Sequence, residues 1–153
     1  MAVTYDDVLS SVRAAVEQAP SYTEAMAQAV AVLKDEMPDY SWVGIYLMDG
    51  QELILGPYRG TPSPHTRIPL NAGICGAAAR TKETIIVDDV DADPRYLACS
   101  LETRSEIVVP IMRGDSVLGE IDIDSDKKAA FGVADRELLE AVASLLSAKF
   151  AHR

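Results

Sequence analysis

The segment Gly119-Glu-Ile-Asp-Ile-Asp-Ser125 constrains this chain more than any other. Residues of a strand alternate faces, so Ile121 and Ile123 point one way while Glu120, Asp122 and Asp124 point the other. A partner strand precedes it: Glu106 to Met112 pairs with Ser116 to Asp124 around Arg113-Gly114-Asp115, a hairpin signal. If a three-residue loop sets the register, Met112 opposes Ser116 and Glu106 opposes Asp122. A different loop count moves Glu106 to the other face. Like charges facing each other across a ladder are unfavourable, so such a face needs a reason. One reason is a solvated acidic surface. The other is a pocket, where clustered carboxylates favour a cationic ligand or force one member to hold a proton near neutral pH. A carboxyl held protonated in this way donates a hydrogen bond or acts as an acid.

The rest of the chain supplies helices to cover such a sheet. Thr4 with Asp7, and Ser21 with Glu24, each place a capping hydroxyl three residues before a carboxylate, predicting helices over 4–18 and 21–37. Pro20 breaks the first and Pro38 follows the second. Strands are predicted at Ser41 to Leu47 and Glu52 to Leu55, flanking the turn Met48-Asp49-Gly50-Gln51. The prolines of Gly60-Thr-Pro-Ser-Pro-His-Thr66 remove ladder donors and make a loop. Short strands follow at Arg67 to Leu70 and Thr84 to Val87, separated by a small helix after Gly73. Asp88 to Pro94 is an acidic connection. A final helix over 135–150 carries Leu138, Leu139, Val142, Leu145, Leu146 and Phe150 on one stripe. The expectation is one α+β domain over 1–153, with a sheet core at 41–125: an antiparallel sheet with helices packed on it. The stripes of the terminal helices suit core packing, and a homodimer partner would cover them equally well.

A chain of 153 residues buries a real core without staples, and its 48% hydrophobic and 25% charged content is that of a globular protein. The net charge of −10 repels phosphate backbones and anionic lipid, which argues against nucleic acid as a partner. The first residues lack the basic and apolar regions of a signal peptide, and no apolar run approaches a membrane span. The expected location is the cytoplasm, where thiols stay reduced. Cys75 and Cys99, without nearby histidines, do not form a conventional structural zinc site, and no metal or cofactor is expected.

Both cysteines have a functional and a bland reading. Cys75 in Gly73-Ile-Cys-Gly lies near a helix N-terminus, where backbone N–H groups favour thiolate, although a buried small residue between glycines fits the same pattern. On these grounds Cys75 ranks as the more acidic thiol. Cys99, in Tyr96-Leu-Ala-Cys-Ser-Leu101, follows an Asp-rich loop and ranks as the more accessible one. Trp42 and Tyr46 sit four apart on one strand, hence on one face. They are either core or an aromatic wall for a methyl group or cation. His65, in the proline loop, reads as surface.

Together these stretches resemble the GAF domain family. They are similar, more narrowly, to the stand-alone GAF enzymes that are free methionine-(R)-sulfoxide reductases. The resemblance rests on Ser41-Trp-Val-Gly-Ile-Tyr-Leu47, Leu55-Gly-Pro-Tyr-Arg-Gly60, Arg67-Ile-Pro69, Gly73-Ile-Cys-Gly-Ala77, Ala98-Cys99, Ser105-Glu-Ile-Val-Val-Pro110 and Leu118-Gly-Glu-Ile-Asp-Ile-Asp-Ser125. It implies that Cys99 is the nucleophile and that Glu106, Asp122 and Asp124 hold the sulfoxide oxygen and the substrate ammonium. It also implies that Trp42 and Tyr46 wall the methylsulfinyl end, that the substrate is free methionine sulfoxide, and that a thioredoxin-like reductant recycles the enzyme. Many family members carry a further, resolving cysteine just before the Arg-Ile-Pro strand. Here Thr61-Pro-Ser-Pro-His-Thr66 has none, which leaves Cys75 as the intramolecular candidate. The alternative is a non-catalytic GAF small-molecule sensor. A cyclic-nucleotide or bilin binder fits less well, given the acidic pocket and the lack of a histidine after either cysteine.

Overall fold

The helices form where apolar spacing and caps coincide. A computed structural model describes residues 3–97 and 102–150. Helix α1 spans Tyr5–Gln18, with Thr4 and Asp7 forming a reciprocal capping box, and buries Val8, Val12 and Val16. Helix α2, Tyr22–Glu36, is capped by the Ser21 hydroxyl and buries Met26, Ala29, Val30 and Leu33. Helix α3 is Gly73–Thr81. Helix α4, Val133–Phe150, begins two residues before the expected Asp135. The Asp135 carboxylate reaches back to the Gly132 N–H at 2.9 Å, so this residue belongs to the first turn and does not precede it. Among the described residues no helix is long and apolar enough to cross a membrane.

Strands β1 (Trp42–Asp49), β2 (Glu52–Arg59), β3 (Arg67–Pro69), β4 (Ile85–Val87), β5 (Ser105–Arg113) and β6 (Ser116–Ser125) form one antiparallel sheet in the order β3-β2-β1-β6-β5-β4. The architecture is the α+β arrangement anticipated from the sequence. Strand β2 runs four residues beyond the predicted Leu55. Its Pro57 is tolerated because β3 pairs only with Glu52 to Ile54, leaving that edge open. One sheet face, carrying Val43, Ile45, Ile107, Val109, Ile111, Ile121 and Ile123, packs under α1, α2 and α4. The opposite face carries Trp42, Tyr46, Leu53, Val87 and Val108, and α3 lies over it with Ile74, Cys75 and Ala78.

The register of the last hairpin differs from the expected one. The turn is two residues, Gly114-Asp115, with Gly114 at φ +60°, so Arg113 and not Met112 opposes Ser116. That count alone would place Glu106 opposite Ile123, facing the helices. Between Ile111 and Met112 the register shifts by one, because Leu118 has no opposite number in β5. After this bulge Glu106 opposes Asp124, and Val108 opposes Asp122. The two departures cancel in parity, and Glu106 returns to the carboxylate face.

Candidate active site

Strands β1, β6 and β5 lie side by side, so their registers stack site residues in rows. Trp42, Asp124 and Glu106 form one row; Gly44, Asp122 and Val108 the next; Tyr46, Glu120 and Pro110 the third. Every acidic member of these rows is buried, with Glu120 at 0%, Asp122 at 2%, and Glu106 and Asp124 at 4% exposure. The structure thus brings Glu106, Asp122 and Asp124 together under cover, and a solvated acidic face is excluded. Glu120, on the same face but outside the expected site, joins them.

Helix α3 closes the cluster from above. Gly73 starts it at φ +71°, where a Cβ would lie 2.9 Å from Leu97. At Gly76 a Cβ would lie 2.8 Å from the Leu70 carbonyl oxygen, so glycine lets the helix settle against the end of β3. Cys75 between them is pressed onto the sheet, and its Sγ lies within 4.8 Å of carboxylate oxygens of both Glu106 and Asp122. Its position near a helix N-terminus was expected to make it acidic; the opposite holds. Burial and the fields of Asp122, Glu120, Glu106 and Asp124 push the thiol well above its ordinary value, and together they outweigh the helix end. At neutral pH Cys75 is a thiol.

The carboxyls respond in the same direction. Burial, followed by the charge of Asp122, raises Glu120 well above its usual range. Burial raises Asp122, with Glu106 and the Cys75 thiol pulling the other way as hydrogen-bonding neighbours. Burial and then Asp122 raise Asp124, opposed by Glu106. Glu106 therefore stands within hydrogen-bonding reach of both aspartates, an arrangement of acids that requires shared protons. Both oxygens of Glu120, and Oδ1 of Asp122 and of Asp124, have no conventional hydrogen-bond partner among the described residues. Each such buried oxygen costs roughly 1–3 kcal/mol in desolvation. The cluster is held by the fold at a cost in stability, a pattern found at binding sites.

The aromatic pair is pinned by the proline loop. Trp42 Nε1 donates to the Thr61 carbonyl at 2.9 Å, and Tyr46 Oη donates to the His65 carbonyl at 2.8 Å. The Trp42 indole lies over Gly44, where a Cβ would meet its ring at 2.3 Å, and stacks on Tyr58 with centroids 5.7 Å apart. His65 is accordingly part of the site wall and not plain surface. The sequence signal for this was the loop itself, whose carbonyls lack intraloop N–H partners where prolines stand.

Two cavities reach the acids. One, of about 80 Å³, is lined by Trp42, Thr61, Ser63, Thr103, Asp124 and Asp126, among others. The second, of about 10 Å³, is lined by Tyr46, His65, Ile68, Gly73, Ile74, Cys75, Leu97, Glu106 and Asp122. Cys99 lies outside the described residues. Of the described residues nearest to it in sequence, Leu97 lines the smaller cavity, and Glu102 and Thr103 the larger.

Comparison with known proteins places this geometry in context. The GAF domain family profile matches residues 21–150. Free methionine-R-sulfoxide reductase of Saccharomyces cerevisiae is 45% identical over 113 residues, 71% of this chain and 62% of that protein. GAF domain-containing protein A of Dictyostelium discoideum is 35% identical over 143 residues, 93% of this chain and 89% of that one. Among solved structures, free methionine-R-sulfoxide reductase from Neisseria meningitidis, in complex with its substrate, superposes with a TM-score of 0.93 at 38% identity. That match covers 98% of this chain and 90% of the other.

Proposed function

The chain belongs to the GAF domain family, and from that premise we propose that it is an enzyme reducing free L-methionine (R)-sulfoxide to methionine in the cytoplasm. The observation that carries the reading is the buried set Glu106, Asp122 and Asp124, in which burial raises both aspartates, walled by Trp42 and Tyr46. Similarity to the reductases of yeast and Neisseria supports the same substrate.

In this reading the acids do two jobs. The substrate ammonium enters a cluster that is partly protonated and brings the positive charge the cluster lacks. Its arrival favours ionisation of the carboxyls that touch it, and the proton released there is available to the sulfoxide oxygen. Cys99 attacks the sulfur, the protonated oxygen transfers to it, methionine leaves, and Cys99 is left as a sulfenic acid. Trp42 and Tyr46 hold the methylsulfinyl group. Cys75 then condenses with the sulfenic acid, releasing water and forming a disulfide that a thioredoxin-like dithiol reduces. Cys75 is protonated at rest, so this step needs a base. Asp122, a hydrogen-bonding neighbour of the thiol, is placed to take its proton once ionised.

The test is to incubate the reduced protein with each epimer of free methionine sulfoxide and dithiothreitol, and to measure methionine. Methionine formed from the R epimer alone, and lost in Cys99→Ser, is the expected result. Absence of methionine, together with a rise in melting temperature on adding the sulfoxide, would replace the enzyme by the non-catalytic sensor.

A further inference from the structure

The smaller cavity gathers a set of metal-type donor atoms. Its ligand-type atoms are Cys75 Sγ and one carboxylate oxygen each from Glu106 and Asp122, all within 4.8 Å of one another and all on buried residues. Beside them Glu120 is fully buried with both oxygens unpartnered, and Asp122 Oδ1 is unpartnered as well. Glu120 is near enough to the Cys75 thiol to interact with it as a hydrogen-bonding neighbour. No Lys or Arg lines this cavity among the described residues. Apart from His65, the described lining residues offer no basic side chain to balance these acids.

We infer that Cys75, Glu106 and Asp122, with Glu120 beside them, form a binding site for one thiophilic divalent cation, of which Zn²⁺ is the best match. The donor set decides the class. Calcium and magnesium need six or more oxygens, whereas one thiolate with two or three carboxylate oxygens suits a borderline-soft ion with four ligands. Size agrees. A cavity of about 10 Å³ has room for a single water-sized occupant such as an ion. Zinc sits about 2.3 Å from sulfur and about 2.0–2.2 Å from oxygen. Binding exchanges protons for metal: the thiol proton and those shared among the carboxyls leave as the ion enters. The usual sequence signature of such a site, cysteine with histidine, is absent, and carboxylates from two strands take the place of the imidazoles. On the reductase reading, the ion competes with the substrate ammonium for the same acids and withdraws Cys75 from recycling. The binding itself does not depend on that reading.

The experiment uses Co²⁺ as a spectroscopic stand-in for zinc, with fully reduced protein and no sulfoxide present. One equivalent of Co²⁺ is expected to give a thiolate-to-metal charge-transfer band in the near ultraviolet, which Zn²⁺ then bleaches. Cys99→Ser should keep the band and Cys75→Ser should lose it. Asp122→Asn, which keeps the thiol, should weaken binding by more than the roughly 10–100-fold that outer-shell changes cost. The assignment is overturned by a band that survives in Cys75→Ser, by one that disappears in Cys99→Ser, or by no band at saturating Co²⁺. Because no turnover is read, failure of the reductase assay leaves this result standing, and failure here leaves the reductase assay standing.

Discussion

Glu120→Gln isolates the energetic consequence of burying acids without partners. Glu120 is fully buried, and burial and Asp122 hold its carboxyl well above the ordinary value of 4.5. Between that value and its native one, the folded state keeps a proton that the unfolded state has released. Stability falls with pH wherever the native state binds more protons, so this group's contribution is fully present below about pH 4.5 and is lost as pH rises. The slope is roughly 1.4 kcal/mol per pH unit. From pH 5 to pH 7 the loss is at most about 3 kcal/mol, a sizeable share of the roughly 5–15 kcal/mol that holds a domain together. Glutamine has the same shape and no proton to lose, so it reproduces the protonated glutamate and leaves the neighbours' fields nearly unchanged. The variant should therefore match the parent near pH 4.5 and become progressively more stable than it as pH rises, by up to about 3 kcal/mol at pH 7. Urea unfolding with EDTA present, followed by fluorescence of Trp42, the single tryptophan, gives both curves at several pH values. Parallel curves across pH 5 to 7 would refute the assignment of a raised Glu120.

Other predictions follow from single contacts. Asp122→Asn and Glu106→Gln should lose at least about a hundredfold in kcat/KM for free methionine (R)-sulfoxide while unfolding within about 1 kcal/mol of the parent; equal losses of both would make them structural. Cys75→Ser should retain one turnover in a quenched single-turnover assay but slow thioredoxin-linked cycling, and an unchanged steady state would remove Cys75 from the cycle. Gly119→Ala places a Cβ 2.3 Å from the Tyr46 carbonyl oxygen, and backbone cannot yield as a side chain does. A loss of about 3 kcal/mol or more in urea titration is expected. Tyr40→Phe removes a buried 2.8 Å hydrogen bond to Asp135 and should cost about 1–3 kcal/mol in the same assay.

Much of this was legible in the chain because the informative patterns were local. The capping pairs at Thr4 and Ser21 report helix starts through contacts three residues apart. The alternation from Gly119 to Ser125 reports a face whatever its partners are. The register was not legible, since it depends on a two-residue turn and a bulge at Leu118 whose offsets cancel for facing but not for pairing. Glu106 was placed on the correct face by a count that assigned it the wrong neighbour. The acidity of Cys75 was misjudged for a related reason. A helix end is visible in sequence, whereas four carboxyls from two other strands are visible only once the sheet is assembled. Glu120 shared the visible alternation, yet nothing local set it apart as the acid beside that thiol.

The bulge at Leu118 ties stability to chemistry. Without it the hairpin would pair more regularly and Glu106 would turn toward the helix-side core, leaving two aspartates that no longer share protons with a third acid. With it, Glu106 reaches both Asp122 and Asp124, and the cluster can hold protons when empty and exchange them for a cation when filled. The same irregularity that removes a ladder pairing thus creates a site whose charge state responds to its occupant. A cluster fully ionised at rest would bind an ammonium more tightly but would have no proton to give. One fully neutral would have a proton and no attraction. Raised but mutually coupled carboxyls sit between these limits, and that balance is what a register fixed by turn and bulge together provides.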